Sequence, residues 1–331
     1  MGWSMSRQAE ILSIGEMDIG VDEALAERFR VYRDSTLGLR TIVAEHGDAI
    51  AAIVTRGRTP TTAALIRRLP NLELIANFGV GYDSIDVTTA AARGIVVTNT
   101  PDILNDEMAD FTVGLLLATV RRLPQADRHV RGKRWAGGES FPLGPSLRGR
   151  RVGIAGMGRV GKVIARRLDG FDVPIAYHAR NQQPALPYPY PYHTDLHALA
   201  RAVDVLIVAL PVGVATRRVI NAEVLEALGP NGILINVARG SVVDEPALVD
   251  ALRAGTILAA GLDVFAEEPH VPEELLEMEN VVLLPHVGTA THHTRGLMRQ
   301  MVIDNVVSWF DGRGALTPVP ETPQVVARSG P

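Results

Sequence analysis

The chain has 331 residues, 47% of them hydrophobic and 21% charged, with a formal net charge of −4. That balance describes a globular protein of two domains at roughly 150 residues each, and it offers neither nucleic acid nor an anionic membrane an electrostatic footing. There is no cysteine, which excludes disulfides, thiolate metal sites and a cysteine nucleophile; a cytoplasmic protein without a metal is expected.

Met1 to Glu10 is polar and lacks the apolar core of a signal peptide. No apolar run approaches the ~20 residues that span a bilayer. From there strand and helix signals alternate. Ile11–Ile14 reads as a strand, Asp22–Phe29 as a helix, Ile50–Val54 as a strand and Thr61–Leu69 as a helix. Leu72–Phe78 is a strand, Val87–Arg93 a helix stopped by Gly94, and Ile95–Thr98 a strand. This alternation implies a doubly wound α/β unit with a parallel sheet. Asn77-Phe-Gly-Val-Gly-Tyr-Asp83 follows a strand, at the sheet edge where ligands bind. Its glycines either expose N–H groups to a carboxylate or phosphate, or simply make a flexible turn.

After Thr100-Pro101 a helix is expected over Asp106–Arg122, apolar nearly all round and therefore deeply buried or shared with a second subunit. His129–Gly138 reads as a polar segment in which Trp135 packs locally rather than meeting a ligand. Val152–Ala155 is short and apolar, as a buried parallel strand is. Gly156, Gly158 and Gly161 follow in G-x-G-x-x-G spacing, and Val160, Val163, Ile164 and Leu168 then recur at helical intervals. Strand, glycine turn and helix in this order make a dinucleotide-binding unit. Gly156 allows the turn, Gly158 lets a pyrophosphate approach the helix N-terminus, and Gly161 lets helix and strand pack closely.

Val173–Tyr177 reads as the second strand of that unit. An acid about 20 residues past the motif would take the ribose hydroxyls, but the chain has His178-Ala179-Arg180-Asn181 there. Arg180 either pairs with a 2′-phosphate or is a solvated surface residue; the missing acid favours the phosphate. Gln182–Tyr192, with four prolines and three tyrosines, reads as an extended connection. Strands are expected at Asp204–Leu210, Gly232–Val237, Ile257–Phe265 and Val281–Leu284. Helices are expected at Ala222–Leu228 with Asn221 as cap, at Pro246–Ala254 capped by Asp244, and at Thr291–Phe310 before an extended or mobile tail.

Arg239, Glu268 and His286 each follow closely on a predicted strand, so all can converge on one sheet edge. A hydride-transfer site for a hydroxy acid needs a cation for the carboxylate, a group that exchanges the hydroxyl proton and something that sets that group's proton affinity. Arginine, histidine and a carboxylate supply these in turn. Taken singly, a histidine or an arginine is more often structural, and Glu268 also reads as a solvated residue before a proline turn.

Together these motifs resemble the D-isomer-specific 2-hydroxyacid dehydrogenases, and within them most the glyoxylate/hydroxypyruvate reductases. The resemblance rests on Asn77–Asp83, the Gly156 loop, Asn236-Val-Ala-Arg-Gly240, Gly261-Leu-Asp-Val-Phe265 with Glu268-Pro269, and Pro285-His286-Val-Gly288. It implies a Rossmann coenzyme domain, 101–287, inserted into a discontinuous flavodoxin-like substrate domain, 1–100 and 288–331, with the active site in the cleft between. It implies that Arg239 binds the substrate, that His286 is the acid/base with Glu268 bonded to it, and that the backbone of Val80 and Gly81 holds the carboxylate. The coenzyme would be held by Gly156, Gly158, Arg159, Val160, Gly161, Arg180 and Asn181. Leu210, Pro211, Thr216, Val237, Ala238, Asp263, His286 and Gly288 would complete that site. NADPH is expected before NAD, the partners are a small 2-keto or 2-hydroxy acid and a second copy in a homodimer, and no nucleic acid or membrane is involved. Hydroxyphenylpyruvate, sugar-acid or phosphoglycerate dehydrogenases, and a nucleotide-sensing corepressor, are the alternatives.

Overall fold

The structure, a computed structural model, describes residues 8–57, 59–184 and 186–323. The chain divides into two compact units, one of Met1–Ile103 with Thr291–Pro331 and the other of Leu104–Ala290. Among the described residues, no helix is long and apolar enough to cross a membrane.

The first unit runs β1 (Glu10–Ser13), α1 (Ile19–Ala26), β2 (Arg30–Arg33), α2 (Asp34–Leu37), α3 (Leu39–His46), β3 (Ile50–Arg56), α4 (Ala63–Arg67), β4 (Leu74–Phe78), α5 (Val87–Ala92) and β5 (Val96–Thr98). Its sheet has the order β2-β1-β3-β4-β5 with every pairing parallel, which is the flavodoxin-like order. Asp18, Thr62 and Asp86 start α1, α4 and α5 by accepting hydrogen bonds from first-turn N–H groups. Leu12, Ile42, Ile53, Ile66 and Ile75 are wholly buried in its core.

The second unit runs α6 (Asn105–Val120), α7 (Leu123–Arg131), β6 (Val152–Ala155), α8 (Arg159–Leu168), β7 (Ile175–His178), β8 (Tyr192–His193), α9 (Leu196–Ala202) and β9 (Val205–Val208). It continues through α10 (Ala222–Leu228), β10 (Ile233–Asn236), α11 (Glu245–Ala254), β11 (Ala259–Leu262), α12 (Glu273–Glu277) and β12 (Val281–Leu283). The all-parallel order β12-β11-β10-β9-β6-β7-β8 is the Rossmann winding with one strand added at the end. The winding reverses between β6 and β9, so their carboxyl ends flank the crevice where such sheets bind ligands. Alternate residues of β9 feed opposite cores: Leu206 and Val208 lie with α9, α10 and α11, while Val205 and Ile207 lie with α6 and α8. The chain then returns to the first unit as α13 (His292–Phe310), which packs on α1 and β4.

Several elements differ from their sequence reading. The helix expected at Asp22–Phe29 begins at Ile19, because Asp18 caps it. β2, α2, α3 and α9 were not expected; β2 is an edge strand with one buried residue, Tyr32. Part of the polar segment at His129 belongs to α7, with Pro124 in its first turn rather than stopping it. Gln125 and His129 are buried on that helix, Gln125 donating to the carbonyls of Glu279 and Val281 and His129 bonding the carbonyl of Glu139. Trp135 is 69% exposed, so it does not pack locally as expected. Asp244 stands at the N-cap of α11 but makes no side-chain cap bond. Of the two readings of the tail, extended or mobile, the described residues fit the first: Val319 is buried and donates to the Val97 carbonyl, beside a bridge between Thr98 and Pro318. Its end, 324–331, lies outside the described residues, as does the start of the polar N-terminus.

Candidate active site

The Gly156 loop leaves β6 at the switch point. Gly156 has φ +108°, and a Cβ there would run into the carbonyl of Ala209, just past the end of β9, so only glycine fits. At Gly161 a Cβ would meet the carbonyl oxygen of Gly156, so close packing of α8 on the turn depends on its absence. Gly158 is different: it is the N-cap of α8, no side chain caps that helix end, and a Cβ would find no heavy atom within 4 Å. The protein's own packing therefore gives no reason for glycine there. An uncapped helix N-terminus beside an open approach suits a dinucleotide's phosphates, so the residues present fit a nicotinamide coenzyme.

At the end of β7, His178 bonds the carbonyl of His193 through Nδ1, while Arg180 and Asn181 are exposed. Beyond β9, Leu210 is half-buried and Pro211 exposed. The Thr216 hydroxyl lies 2.8 Å from the Pro211 carbonyl and 3.1 Å from that of Gly213, closing this loop on itself.

The chemistry-bearing residues come from the ends of β10, β11 and β12, which are neighbours in the sheet. At β10, Asn236 is buried; its amide donates to the Arg239 carbonyl at 3.0 Å, and its Oδ1 accepts from the Ala238 N–H at 3.1 Å. This clamp shapes the Val237-Ala238-Arg239 turn, and the Arg239 guanidinium also donates to the Ala238 carbonyl. Gly240 then packs where a Cβ would strike the backbone of Phe265 and Ala266.

Past β11, Asp263 is buried, and its two carboxylate oxygens accept from the N–H groups of Val287 at 2.8 Å and Gly288 at 3.0 Å. Burial pushes the Asp263 carboxyl above its ordinary range, and the two N–H groups oppose that rise. His286 sits just before this pair with φ +55°, so Asp263 holds the backbone on which the imidazole is mounted. Its Nδ1 lies 2.8 Å from Glu268 Oε2 and 3.1 Å from Oε1, with both side chains largely buried. A carboxylate at Nδ1 favours the tautomer with its proton there, which leaves Nε2 unengaged by Glu268. Glu268 is itself held by the Phe265 N–H. Glu245 caps the same loop by accepting from the Ala266 N–H, with its carboxyl raised by burial first and by Glu267 and Glu268 after it.

Three matches decide the family. Residues 113–288 fit the model of the D-isomer specific 2-hydroxyacid dehydrogenase, NAD binding domain. The chain is 44% identical to glyoxylate/hydroxypyruvate reductase A of Arabidopsis thaliana over 93% of this chain and 98% of that one. It is 43% identical, over the same shares, to the hydroxyphenylpyruvate reductase of Plectranthus scutellarioides. The chain belongs to the D-isomer-specific 2-hydroxyacid dehydrogenases. Among solved structures, the NADPH-dependent glyoxylate/hydroxypyruvate reductase of Sinorhizobium meliloti, in complex with NADP and malonate, superposes with a TM-score of 0.90. It is 49% identical to this chain, across 98% of it and 100% of the other. The dehydrogenase is thus an α/β oxidoreductase of 2-hydroxy acids with a nicotinamide coenzyme.

Of the residues named from sequence, the second unit gathers Arg239, Glu268 and His286 with Val237, Ala238, Asp263 and Gly288 on adjacent strand ends. The Gly156 loop and Arg180 lie on the other side of its switch point. Val80 and Gly81 belong to the first unit, on the loop after β4. Sequence reasoning assigned no role to Asn236 or Glu245. Their signal was a polar residue at a strand end and an acid opening a helix, too common to single out.

Proposed function

We propose that this dehydrogenase reduces small 2-keto acids of the glyoxylate and hydroxypyruvate type to the D-2-hydroxy acids, with NADPH preferred. The observation that carries the reading is the His286–Glu268 pair at 2.8 Å on the strand ends next to Arg239. The printed activities of the Arabidopsis and Sinorhizobium relatives support it. When bound, the reduced nicotinamide supplies a hydride to C2 of the substrate. Arg239 forks onto the carboxylate and keto oxygen and polarises the C2–oxygen bond. His286 gives its Nε2 proton to that oxygen as negative charge develops, while Glu268 holds the Nδ1 proton and with it the ring. The N–H groups of Val80 and Gly81 take the carboxylate. In this reading the first unit is the substrate domain and the second the coenzyme domain.

NADPH preference rests on the end of β7, where exposed Arg180 and Asn181 stand and no acid does. Leu210, Pro211, Thr216 and Asp263 complete the coenzyme site. We also propose a cytoplasmic homodimer. α6 leaves no large apolar side chain exposed, because it packs on α8 and the sheet. The exposed apolar residues follow it instead: Leu123, Val130, Trp135 and Leu143. The deciding experiment compares NADPH oxidation with glyoxylate, hydroxypyruvate, pyruvate and 4-hydroxyphenylpyruvate. Highest kcat/KM on the first two is expected; preference for 4-hydroxyphenylpyruvate would move the assignment to the activity of the Plectranthus relative, and no turnover would overturn it.

A further inference from the structure

The loop after β4 is held in an unusual way. Its three successive carbonyl oxygens are all engaged by donors of the first unit. The Gly79 oxygen accepts from Asn77 Nδ2 and from the Thr100 N–H, each at 3.0 Å. The Val80 oxygen accepts from Asn99 Nδ2 at 2.9 Å, and the Gly81 oxygen from Asn77 Nδ2 at 3.0 Å. Among the described residues, no acceptor meets the N–H of Val80 or of Gly81. A trans peptide is planar, with its C=O and the following N–H pointing in opposite directions. Pinning the Gly79 oxygen therefore aims the Val80 N–H, and pinning the Val80 oxygen aims the Gly81 N–H.

Asn99 is in turn fixed on both sides. Its N–H donates to the Thr317 carbonyl at 3.3 Å, and its own carbonyl accepts from the Thr317 hydroxyl at 2.6 Å. Thr317 is gripped by buried Asn305 of α13, whose Oδ1 accepts from the Thr317 N–H at 3.0 Å and whose amide donates to the Thr317 hydroxyl at 2.9 Å. A chain of hydrogen bonds thus runs from α13 through the tail to a single loop carbonyl. Asn77 donates twice and leaves its buried Oδ1 without a hydrogen-bond partner among the described residues, a cost that a packing role does not explain.

We propose that Asn99 and Asn77 are positioning residues for the substrate's carboxylate, acting by fixing the peptide planes whose N–H groups receive it. The proposal rests on the keto-acid reading given above. The two amides are not equivalent: the Gly79 carbonyl has a second donor in Thr100, whereas Asn99 is the one donor on the Val80 carbonyl among the described residues. Asn99 therefore carries more of the effect.

The test measures kcat and KM for hydroxypyruvate, the Ki of oxamate as a non-reducible carboxylate mimic, the NADPH Kd and the thermal midpoint. Asn99→Ala should raise KM and the oxamate Ki together by about tenfold, the worth of one hydrogen bond to a charged group. NADPH affinity should stay as in the wild type and kcat should fall less than KM rises. Asn99→Asp keeps the volume but sets an oxygen against the Val80 carbonyl, and should do at least as much; it decides the matter if the alanine variant does not fold. Asn77→Asp should raise KM by a smaller factor. Unchanged KM and Ki in a folded Asn99 variant would overturn the proposal. So would a loss confined to thermal stability, which marks a merely structural residue. Failure of the keto-acid reading shows earlier and separately, as a wild-type enzyme that does not turn over hydroxypyruvate.

Discussion

Replacing Gly158 by alanine separates a glycine kept for a ligand from one kept for packing. Its φ of −80° and ψ of −156° are open to any residue, and an added methyl meets no protein atom within 4 Å. The ligand-free enzyme should therefore stay within about 1 kcal/mol of the wild type, because alanine has less freedom to lose on folding but is a poorer helix N-cap than glycine, and the two effects oppose each other. A pyrophosphate held against that backbone meets the methyl and must retreat, weakening an N–H bond to a charged oxygen worth about 1.5–3 kcal/mol. The expected rise in NADPH Kd is about tenfold to a hundredfold or slightly more. Gly161→Ala is the contrast, since its methyl strikes the Gly156 carbonyl and should cost the fold about 1–3 kcal/mol before any ligand is added. Calorimetric titration with NADPH beside thermal melts of both variants gives the answer. Wild-type NADPH affinity in Gly158→Ala would mean that the phosphates do not pass this residue and that the coenzyme lies elsewhere.

His286→Ala should lower kcat for hydroxypyruvate by about 10²-fold or more with little change in NADPH Kd; a variant with wild-type kcat removes the acid/base assignment. Arg180→Ala should erase most of an NADPH preference of about tenfold to a hundredfold by raising the KM for NADPH alone; an equal penalty on both coenzymes, or a wild type that favours NADH, rejects it. Light scattering at micromolar concentration should give twice the chain mass, and substituting Leu143 and Trp135 with charged residues should shift it towards the monomer. Asp204 is held below the usual carboxylate range mainly by its hydrogen bond from the Arg151 guanidinium. Its contribution is present above the unfolded pKa of about 3.9 and is lost as pH falls through the lower folded value. In urea unfolding, Asp204→Asn should be less stable at neutral pH by under about 1 kcal/mol, the pair being partly exposed, with the gap closing on acidification.

What was legible in the sequence follows from how each element is buried. β9 and β10 are covered on both faces, so β9 is an unbroken apolar run and β10 is one up to its last residue, Asn236. β2 is an edge strand, and its Arg30-Val-Tyr-Arg33 shows no run and no clean alternation. The Gly156 loop, Arg239, Glu268 and His286 stood out because each is an uncommon residue placed just after a strand. The supports beneath them did not. Asp263 reaches the N–H groups of Val287 and Gly288 across more than twenty residues of sequence, and Asn99 reaches the tail at Thr317 across 218. Such bonds join a side chain to a remote backbone, whose geometry no spacing encodes. His129 misled for a related reason: a polar residue reads as solvated until its partner is seen.

The strand ends also carry features that cost stability and return none by packing. His286 takes a left-handed φ of +55°, which an ordinary side chain adopts only at some expense. Asp263 places a carboxylate where burial disfavours its charge. Neither is needed to close the sheet, whose strands end before both residues. They explain one another instead. The left-handed turn at His286 presents the next two N–H groups side by side, and a single buried carboxylate accepts both. Asp263 thereby fixes the backbone that carries the imidazole. Glu268 holds the far side of the same ring, so the imidazole is fixed through its backbone and through Nδ1, and neither restraint engages Nε2. A histidine kept for packing needs no such double restraint; one that must meet a reacting oxygen within a few tenths of an ångström does.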